Sequence, residues 1–542
     1  MLDAIETEVF NKLFSSIAEE MGIILTRASF SSNIKERRDF SCAIFDGRGR
    51  LVAQASHIPV HLGSMPATLA AVLEAFSLSP GDIAITNDPF SGGSHLPDIT
   101  LVEAVFSGSS KTPAYYVVNR AHHADVGGIS PGSMGLCRSI DQEGVRIAPS
   151  YLYRKGRLNK NLLDHFLGRV RNPEERLGDL RAQRASLARG RQRLLALLKK
   201  HGRKHLIRVQ SDLFSYGSRL MEATIAGIAD GTYRFTDYLD DDGLTGDRQV
   251  RLSVAVTIDG SRATVDFSDS ADQVASPVNT VKSVTVSATI YAFLCLLGNG
   301  YPVNHGSYLP LAVVCRHGSI VDASYPAAVA AGNVETSQRI VDVLFGALAK
   351  AAPQRVPAAS CGSMNNIAIG GRRADGNQFS YYETIGGGMG GRPGSAGLAG
   401  IHTHMTNTMN TPVEALEHSY PFEIVRYGLR KSSGGKGRCP GGDGIIRSYR
   451  FNGDAQVSLL SERRKLQPYG LNGGGPGKTG ENILERGKKK QKLAGKASFS
   501  VRRGDILHIK TPGGGGWGEE RRTAEQQNIE PMKQDGRQGS NA

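Results

Sequence analysis

Glycine accounts for 66 of the 542 residues, and its distribution limits the folds open to this chain. The glycines show no three-residue period, so a collagen-type fibre is excluded, and we expect them at turns and at close approaches between backbones. They are dense between residues 360 and 440, where Thr, Asn, His and apolar residues are interspersed. That mixture indicates ordered functional loops rather than flexible linkers.

Hydrophobic periodicity predicts an α+β fold. Apolar residues at helical spacing predict an amphipathic helix over residues 3–29, and short strand-like runs follow it, including 100–106 and 114–118. We expect mixed sheets in several layers with helices, and one large core built from an N-terminal half and a β-rich C-terminal half. The expected organisation is an N-terminal α/β region, a glycine-rich α+β region and a disordered tail, at residues 1–210, 211–518 and 519–542.

The net charge of +14 comes largely from one segment. Residues 151–210 contain 17 Lys and Arg against 4 Asp and Glu. Asn172 and Pro173 predict the start of a long helix there, with Asn172 as its N-cap, and the aromatic residues of the segment all precede that helix. A basic helix without interleaved aromatic residues lacks the stacking surface of a single-strand-binding groove. We therefore expect no nucleic-acid partner, and either a solvated helix or one that docks on an acidic protein.

Cysteine usage and the N-terminus predict a cytoplasmic protein. The six cysteines lie far apart and form no CxxC pair, which excludes a zinc ribbon and a thioredoxin-type motif. The first twenty residues mix acidic and apolar side chains, unlike a signal peptide. The longest apolar run, residues 284–297, is too short to span a bilayer, so we expect no membrane partner.

Two His-x-x-Asp motifs lie close together in the N-terminal half. His95 and Asp98 form the first, just before a predicted strand, and His122 and Asp125 form the second, just after the next strand. If these strands pair as a hairpin, both motifs meet at the same end. Imidazoles and carboxylates bind divalent metals that keep a position open for water, and such an ion lowers the pKa of that water towards neutrality.

The same pattern also fits hydrogen-bonded loop histidines with no metal. Two motifs and two further histidines, His57 and His61, within so short a window favour the metal interpretation. Asp39 is a candidate additional ligand, although it also fits an ion pair with a neighbouring arginine. A second candidate cluster contains His402, His404 and His418.

Nucleotide-binding motifs are absent from the sequence. Residues 386–391 fit GxGxxG and could cradle an anion, but they do not lie in a βαβ unit. Near Lys478 the P-loop pattern fails, because Asn472 occupies the position of its first glycine. We therefore do not expect this chain to bind ATP itself.

Long motifs spread over residues 1–518 resemble those of the hydantoinase B/oxoprolinase family. They are KERRDFS at 35–41, HIPVHLGSM at 57–65, NDPFSGGSHLPD at 87–98, NRAHHADVGG at 119–128, GNVET at 332–336, TNTMNTP at 406–412, EIVRY at 423–427, SERR at 461–464 and TPGGGG at 511–516.

This resemblance implies a subunit of an ATP-dependent enzyme that opens cyclic amides, such as 5-oxoprolinase, N-methylhydantoinase or caprolactamase. In such enzymes an ATP-binding partner of the hydantoinase A type phosphorylates the carbonyl oxygen of the substrate. The hydantoinase B-type chain holds a divalent metal, for which Mn, Zn and Fe stay open, and completes the reaction. The resemblance therefore implies a hetero-oligomer with that partner and a small lactam or hydantoin as the substrate.

The family's metal ligands fall on His95, Asp98 and either His122 or His123, with Asp39 nearby. Of the two adjacent histidines we favour His122, because its spacing to Asp125 repeats the first motif. His123 and Asp125 are then the catalytic candidates, which would orient a ring or take a proton from water.

Two alternative functions stay open at this level. The resemblance extends to acetone and acetophenone carboxylases, in which an activated species is attacked by an enolate. A non-catalytic interaction subunit is the other alternative, suggested only by the charge. Bicarbonate-dependent ATP hydrolysis would indicate the carboxylase, and a stoichiometric metal would exclude the non-catalytic subunit.

Overall fold

Helices surround several β-sheets in this protein, which confirms the expected α+β class. The structure, a computed structural model, describes residues 3–55, 57–246, 248–298 and 301–520. Of the expected disordered tail, residues 521–542 lie outside these ranges. The division at residues 210 and 211 stays a prediction, and both residues lie within one helix, Arg203–Ala226.

Seven strands form the first sheet, and each is antiparallel to its neighbours. They are β1 (Phe40–Asp46), β2 (Leu51–Gln54), β3 (Ile83–Thr86), β4 (Asp98–Val105), β5 (Tyr115–His122), β6 (Ser150–Arg154) and β7 (Arg157–Leu158). Their order across the sheet is β2-β1-β5-β4-β3-β6-β7. The predicted strands 100–106 and 114–118 are therefore β4 and β5, and they do form the hairpin.

The α-helices among the described residues vary from one turn to eight. They are α1 (Ala4–Ala28), α2 (Ser32–Lys35), α3 (His61–Ala75), α4 (Ile140–Glu143), α5 (Lys160–Leu167), α6 (Pro173–His201), α7 (Arg203–Ala226), α8 (Lys282–Leu297), α9 (Ser337–Ala351) and α10 (Val413–Ser419). The prediction of a helix over residues 3–29 is confirmed by α1. A π-helical turn, Gly332–Thr336, leads into α9.

Both faces of the first sheet are covered, because alternate residues of its central strands pack into different cores. Ile44, Leu101 and Val117 pack with α1 and α6 on one face. Ala43 and Val118 pack against α3 on the other. The fold therefore has helices, a sheet and further helices in successive layers, and the ends of β4 and β5 are enclosed.

The remaining strands form three smaller sheets. The second contains β8 (Gly231–Leu239), β9 (Val250–Asp259), β10 (Arg262–Asp266) and β11 (Leu311–Val314). The third contains β12 (Asn366–Arg372), β13 (Gln378–Glu383), β16 (Ala455–Leu460) and β19 (Lys496–Val501). The fourth contains β14 (Phe422–Arg430), β15 (Gly444–Phe451), β17 (Glu481–Arg486), β18 (Lys489–Leu493) and β20 (Ile506–Lys510).

The basic helix α6 is partly neutralised within the chain. Arg189 and Arg193 both contact Glu20 of α1, at 2.8 and 3.2 Å, and Arg191 contacts Glu103 of β4 at 3.0 Å. Asn172 is the N-cap residue of α6, as predicted, with a left-handed backbone (φ 52°); its side chain donates to Glu175 Oε2 at 2.9 Å and makes no capping bond to a helix N–H. No helix among the described residues is long and apolar enough to cross a membrane.

Glycine-rich segments of the C-terminal half pack backbone against backbone in what we call the glycine lattice. Its segments are hydrogen-bonded through main-chain atoms: Gly388 N–H donates to Pro512 O at 3.0 Å, Gly442 N–H to Met389 O at 2.8 Å and Gly391 N–H to Gly515 O at 2.8 Å. The lattice comprises residues 358–361, 386–391, 397–401, 433–444, 469–477 and 511–518.

The lattice confirms the expectation of close approaches between backbones. A Cβ at Gly388 would lie 1.9 Å from the carbonyl oxygen of Gly442, far inside van der Waals contact. The suggestion that residues 386–391 cradle an anion is wrong, because the N–H groups of Gly387, Gly388, Met389 and Gly391 already bond to carbonyl oxygens.

Candidate metal centre

The β4–β5 hairpin brings the two His-x-x-Asp motifs together. Asp98, the first residue of β4, lies opposite His122, the last residue of β5. His95 precedes Asp98 in a tight loop, where Asp98 N–H donates to His95 O at 3.1 Å. The register of one hairpin therefore places two histidines and one carboxylate at the same sheet end.

Ligand atoms of His95, Asp98 and His122 lie within 4.8 Å of one another, and all three side chains are buried. His95 Nε2 is 3.4 Å from Asp98 Oδ2, and His122 Nδ1 is 3.7 Å from Asp98 Oδ1. Atoms that share one zinc-sized ion at about 2.1 Å lie roughly 3–4 Å apart, so these separations suit a common metal.

Three of the four imidazole nitrogens in this cluster have no hydrogen-bond partner among the described residues. Both ring nitrogens of His95 and the Nε2 atom of His122 are buried without one. Unpartnered buried polar atoms are uncommon in proteins and call for an explanation. A divalent cation would satisfy the free lone pairs, and two imidazoles with one carboxylate are a donor set that such ions bind. The residues present therefore fit a divalent metal.

Asp98 contacts each of the other side chains that form the candidate centre. His61 Nε2–H donates to its Oδ2 at 3.1 Å, and the hydroxyl of Ser94 donates to the same oxygen. Burial by itself would raise the pKa of Asp98, but the adjacent His95 and His61 outweigh it and hold that pKa well below its usual range. Asp98 is therefore an ionised carboxylate, with Oδ1 left over for a cation.

Burial favours the neutral form of His61 and His122, the histidines on either side of Asp98. It lowers the pKa of His61, and it lowers the pKa of His122 well below its ordinary value, with help from His95. His61 is oriented from its other side by Ser41, whose Oγ lies 2.8 Å from His61 Nδ1. Neutral imidazoles are the form in which histidine binds metals.

Asp39 lies beside the cluster, outside the group whose atoms share a common centre. Its Oδ2 atom is 3.8 Å from His122 Nδ1 and 3.7 Å from Arg37 Nη2. Burial raises the pKa of Asp39 to about 6, although Arg37 opposes this effect. The ion-pair interpretation of Asp39 thus finds a contact with Arg37, and its role as an additional ligand stays a prediction.

His123 and Asp125 point to other partners. His123 Nε2–H donates to Gln183 Oε1 at 3.0 Å, and Gln183 is held by Ile99 O and Asn119 Oδ1. Asp125 accepts from Gly127 N–H at 3.0 Å and from Arg171 Nη1 at 2.8 Å. The structure therefore brings His122, and not His123 or Asp125, to the ligand group.

Two contacts to the centre gave no signal in the sequence. Tyr382 stacks on His122 with ring centroids 4.2 Å apart, from a strand 260 residues further along the chain. The hydroxyl of Ser94 donates to Asp98 Oδ2. The second candidate cluster is divided: His404 is buried, His402 is half-buried and His418 is exposed. Desolvation lowers the pKa of His402 to about 3 and that of His404 to about 4.

Comparison with known proteins assigns this chain to a family. The Hydantoinase B/oxoprolinase profile matches residues 3–520, which is nearly the whole chain. The chain belongs to this family. A solved structure, the ATP-dependent caprolactamase of Pseudomonas jessenii, superposes with a TM-score of 0.89 at 26% identity, over 96% of this chain and 92% of that one.

Curated relatives of this family member differ in length. An uncharacterised protein of Methanocaldococcus jannaschii is 42% identical over 95% of this chain and 91% of its own length. A Pseudomonas protein assigned as one of the subunits of a D-/L-hydantoinase is 30% identical over 95% of this chain and 90% of its own length. 5-Oxoprolinase 1 of Arabidopsis thaliana is 38% identical over 95% of this chain, which spans only 42% of that protein.

Proposed function

We propose that this chain is the metal-containing subunit of an ATP-dependent cyclic amide hydrolase of the 5-oxoprolinase or hydantoinase type. The observation that carries the proposal is the buried group of His95, Asp98 and His122, with its free ring nitrogens. The names of the relatives support the substrate class, a lactam or hydantoin, and the caprolactamase likeness agrees with it.

The residues of the centre divide into ligands and supports. His95, Asp98 and His122 would hold the divalent ion, which supplies Lewis-acid activation of water and of the substrate oxygen. Ser94 and His61 fix the orientation of the Asp98 carboxylate, and Tyr382 fixes the ring plane of His122. Burial of all of them keeps bulk water from an activated substrate.

The second part of the proposal is a partner that binds ATP, of the hydantoinase A type. The sequence lacks a nucleotide-binding motif, whereas the likeness to an ATP-dependent enzyme covers nearly the whole chain. In Arabidopsis 5-oxoprolinase 1 more than half of the protein lies outside the matched part, and the Pseudomonas relative is assigned as one subunit of an enzyme. The unmatched part of the Arabidopsis protein and the subunit assignment of the Pseudomonas relative both support a hetero-oligomer.

The test is reconstitution with a hydantoinase A-type chain. ATP hydrolysis by the mixture should become dependent on a cyclic amide, with 5-oxoproline and hydantoin as the first substrates to try. Opened amide should form in proportion to the ADP released. ATP hydrolysis that requires bicarbonate and a ketone instead would contradict the proposal and support a carboxylase.

A further inference from the structure

A cavity of about 510 Å³ shares a wall with the metal centre. Arg38 and Phe40 line the cavity, while Asp39 between them lies 3.8 Å from His122. The opposite wall comes from α1, and His57 closes one side. This volume falls within the range of small-molecule sites, which runs from about 300 to 1,000 Å³.

The lining of the cavity has a positive charge surplus. Arg27, in the last turn of α1, and Arg38 both face it, and neither guanidinium makes a hydrogen bond or an ion pair with another described residue. Glu19 is the carboxylate in the lining. Free guanidinium groups beside a concave surface are the usual means of binding carboxylates and phosphates.

His57 adds a neutral donor whose tautomer is fixed. The N–H of Cys42 donates to His57 Nδ1 at 3.1 Å, so the ring proton lies on Nε2. Glu19 Oε2 is 4.0 Å from that nitrogen, too far for a hydrogen bond. Gly22 makes room for the ring, because a Cβ there would lie 2.8 Å from His57 Nε2.

Arg38 is held in a strained backbone conformation. Its φ is 56°, in the left-handed region that a long side chain seldom adopts. Such strain costs on the order of 1–3 kcal/mol and is concentrated at ligand sites, whereas glycine would adopt this backbone freely. An arginine at this position is therefore better explained by what its side chain binds than by the turn.

We propose that this cavity is an oxyanion site, in which Arg27, Arg38 and His57 Nε2–H bind a carboxylate or phosphate group of a small molecule. The proposed function supplies only the identity of that molecule, a substrate or its phosphorylated form on the way to the metal centre. The anion site itself follows from the side chains that line the cavity.

Calorimetric titration of the whole chain with inorganic phosphate and, separately, with acetate tests the site. Arg38→Gly should weaken binding about tenfold or more, since hydrogen bonds to charged groups are individually strong. It also relieves the left-handed strain, so the variant should fold at least as stably. Arg27→Ala should weaken binding similarly, Glu19→Gln should strengthen it, and Arg181→Ala, an exposed arginine of α6, should leave it unchanged.

The two titrants distinguish the source of the anion. Stronger binding of phosphate assigns the cavity to a phosphorylated intermediate, and stronger binding of acetate assigns it to a carboxylate of the substrate. Binding that persists unchanged in the Arg27→Ala, Arg38→Gly double variant, or no binding of either anion, would overturn the proposal. Neither readout requires metal or turnover, so failure here is separate from failure of the proposed function.

Discussion

At the scale of single residues, the candidate centre depends on one ionised carboxylate. Asp98 accepts from His61 and Ser94 on one oxygen and faces His122 with the other. Among the described residues, no Lys or Arg side chain forms an ion pair with it, and the side chains within 4 Å of its oxygens that could carry a positive charge are histidines. A bound cation would supply that charge, which explains why a buried acid is tolerated there.

Replacement of His95 should remove the metal and leave the fold intact. His95→Ala deletes a candidate ligand whose ring nitrogens have no hydrogen-bond partner among the described residues, so little structure depends on them. We expect loss of stoichiometric metal, measured by elemental analysis, and loss of coupled turnover, with an unchanged circular dichroism spectrum. His418→Ala, at an exposed histidine, is the matched control. Full metal content in His95→Ala would place the site elsewhere.

Glu143 should make the stability of the protein depend on pH. Burial raises the pKa of Glu143 to about 8. The N–H groups of Ala330 and Val329 oppose this effect, because they stabilise the ionised carboxylate. The native state therefore keeps a proton that the unfolded chain releases near its ordinary pKa of 4.5. Between these values the native state binds more protons, so stability falls as pH rises, by up to about 1.4 kcal/mol per unit.

Glu143→Gln should remove that contribution, because its amide oxygen can accept the same two N–H bonds without ionising. Urea denaturation of wild type and variant between pH 5 and pH 8 should show the variant gaining stability relative to wild type as pH rises. Glu74→Gln, an exposed site on α3, should show no such gain. Parallel curves for Glu143→Gln and wild type would contradict the expected protonation.

At the scale of elements, the β4–β5 hairpin and the glycine lattice have different roles in the fold. Antiparallel register alone sets Asp98 opposite His122, so the hairpin builds the ligand group. The lattice instead joins distant segments of the C-terminal half through main-chain hydrogen bonds. Most of its contacts leave no room for a side chain, so glycine is required there for its size more than for its conformational freedom.

A single methyl group in the lattice should therefore be costly. In Gly388→Ala the new Cβ would lie 1.9 Å from Gly442 O and 2.3 Å from Gly514 N, and backbone rather than a flexible side chain would have to move. We expect a loss of about 3 kcal/mol or more in the free energy of unfolding. Gly428→Ala, on β14 where nothing lies within 4 Å, is the control and should be nearly neutral. Equal stabilities of Gly388→Ala and wild type would show that the backbone segments of the lattice can move apart at little cost.

At the scale of the whole molecule, the two halves of the chain meet at the centre. Arg37 is fully buried and donates to Thr384 Oγ1 at 2.8 Å and to Tyr382 O at 3.2 Å, while its Nη2 lies 3.7 Å from Asp39. The guanidinium thus connects the N-terminal segment that carries Asp39 to the strand that carries Tyr382. The centre is complete only when both halves are folded.

Isolated chain should hydrolyse neither ATP nor a cyclic amide. The sequence lacks a phosphate-binding motif, and an unactivated amide is resonance-stabilised. With a hydantoinase A-type partner both activities should appear together, and the complex should bury an interface of at least about 2,000 Å², as permanent assemblies do. Catalytic ATP hydrolysis by the purified chain alone would contradict the expectation that the partner binds and hydrolyses ATP.

Local patterns in the sequence determined the elements and the chemistry of the site. Helical spacing predicted α1, and strand-like runs predicted β4 and β5. The motifs at the strand ends singled out His95 and Asp98, which the structure brings together with His122, while their role as metal ligands stays a prediction. The elements could be predicted because periodicity and register act between near neighbours in the chain. The absence of a glycine period likewise predicted close backbone contacts, though not which segments would meet.

Only the tertiary structure distinguished His122 from its neighbour. Adjacent residues at a strand end point to opposite faces, and which of the two reaches the candidate ligand group depends on what packs on each face. His61, Ser94 and Tyr382 join the centre for the same reason, since the helix, loop and strand that carry them are brought together by the core. The catalytic roles expected of His123 and Asp125 stay predictions. The ion pair of Asp125 with Arg171 also comes from folding, because a side chain takes the partner that the fold brings within reach.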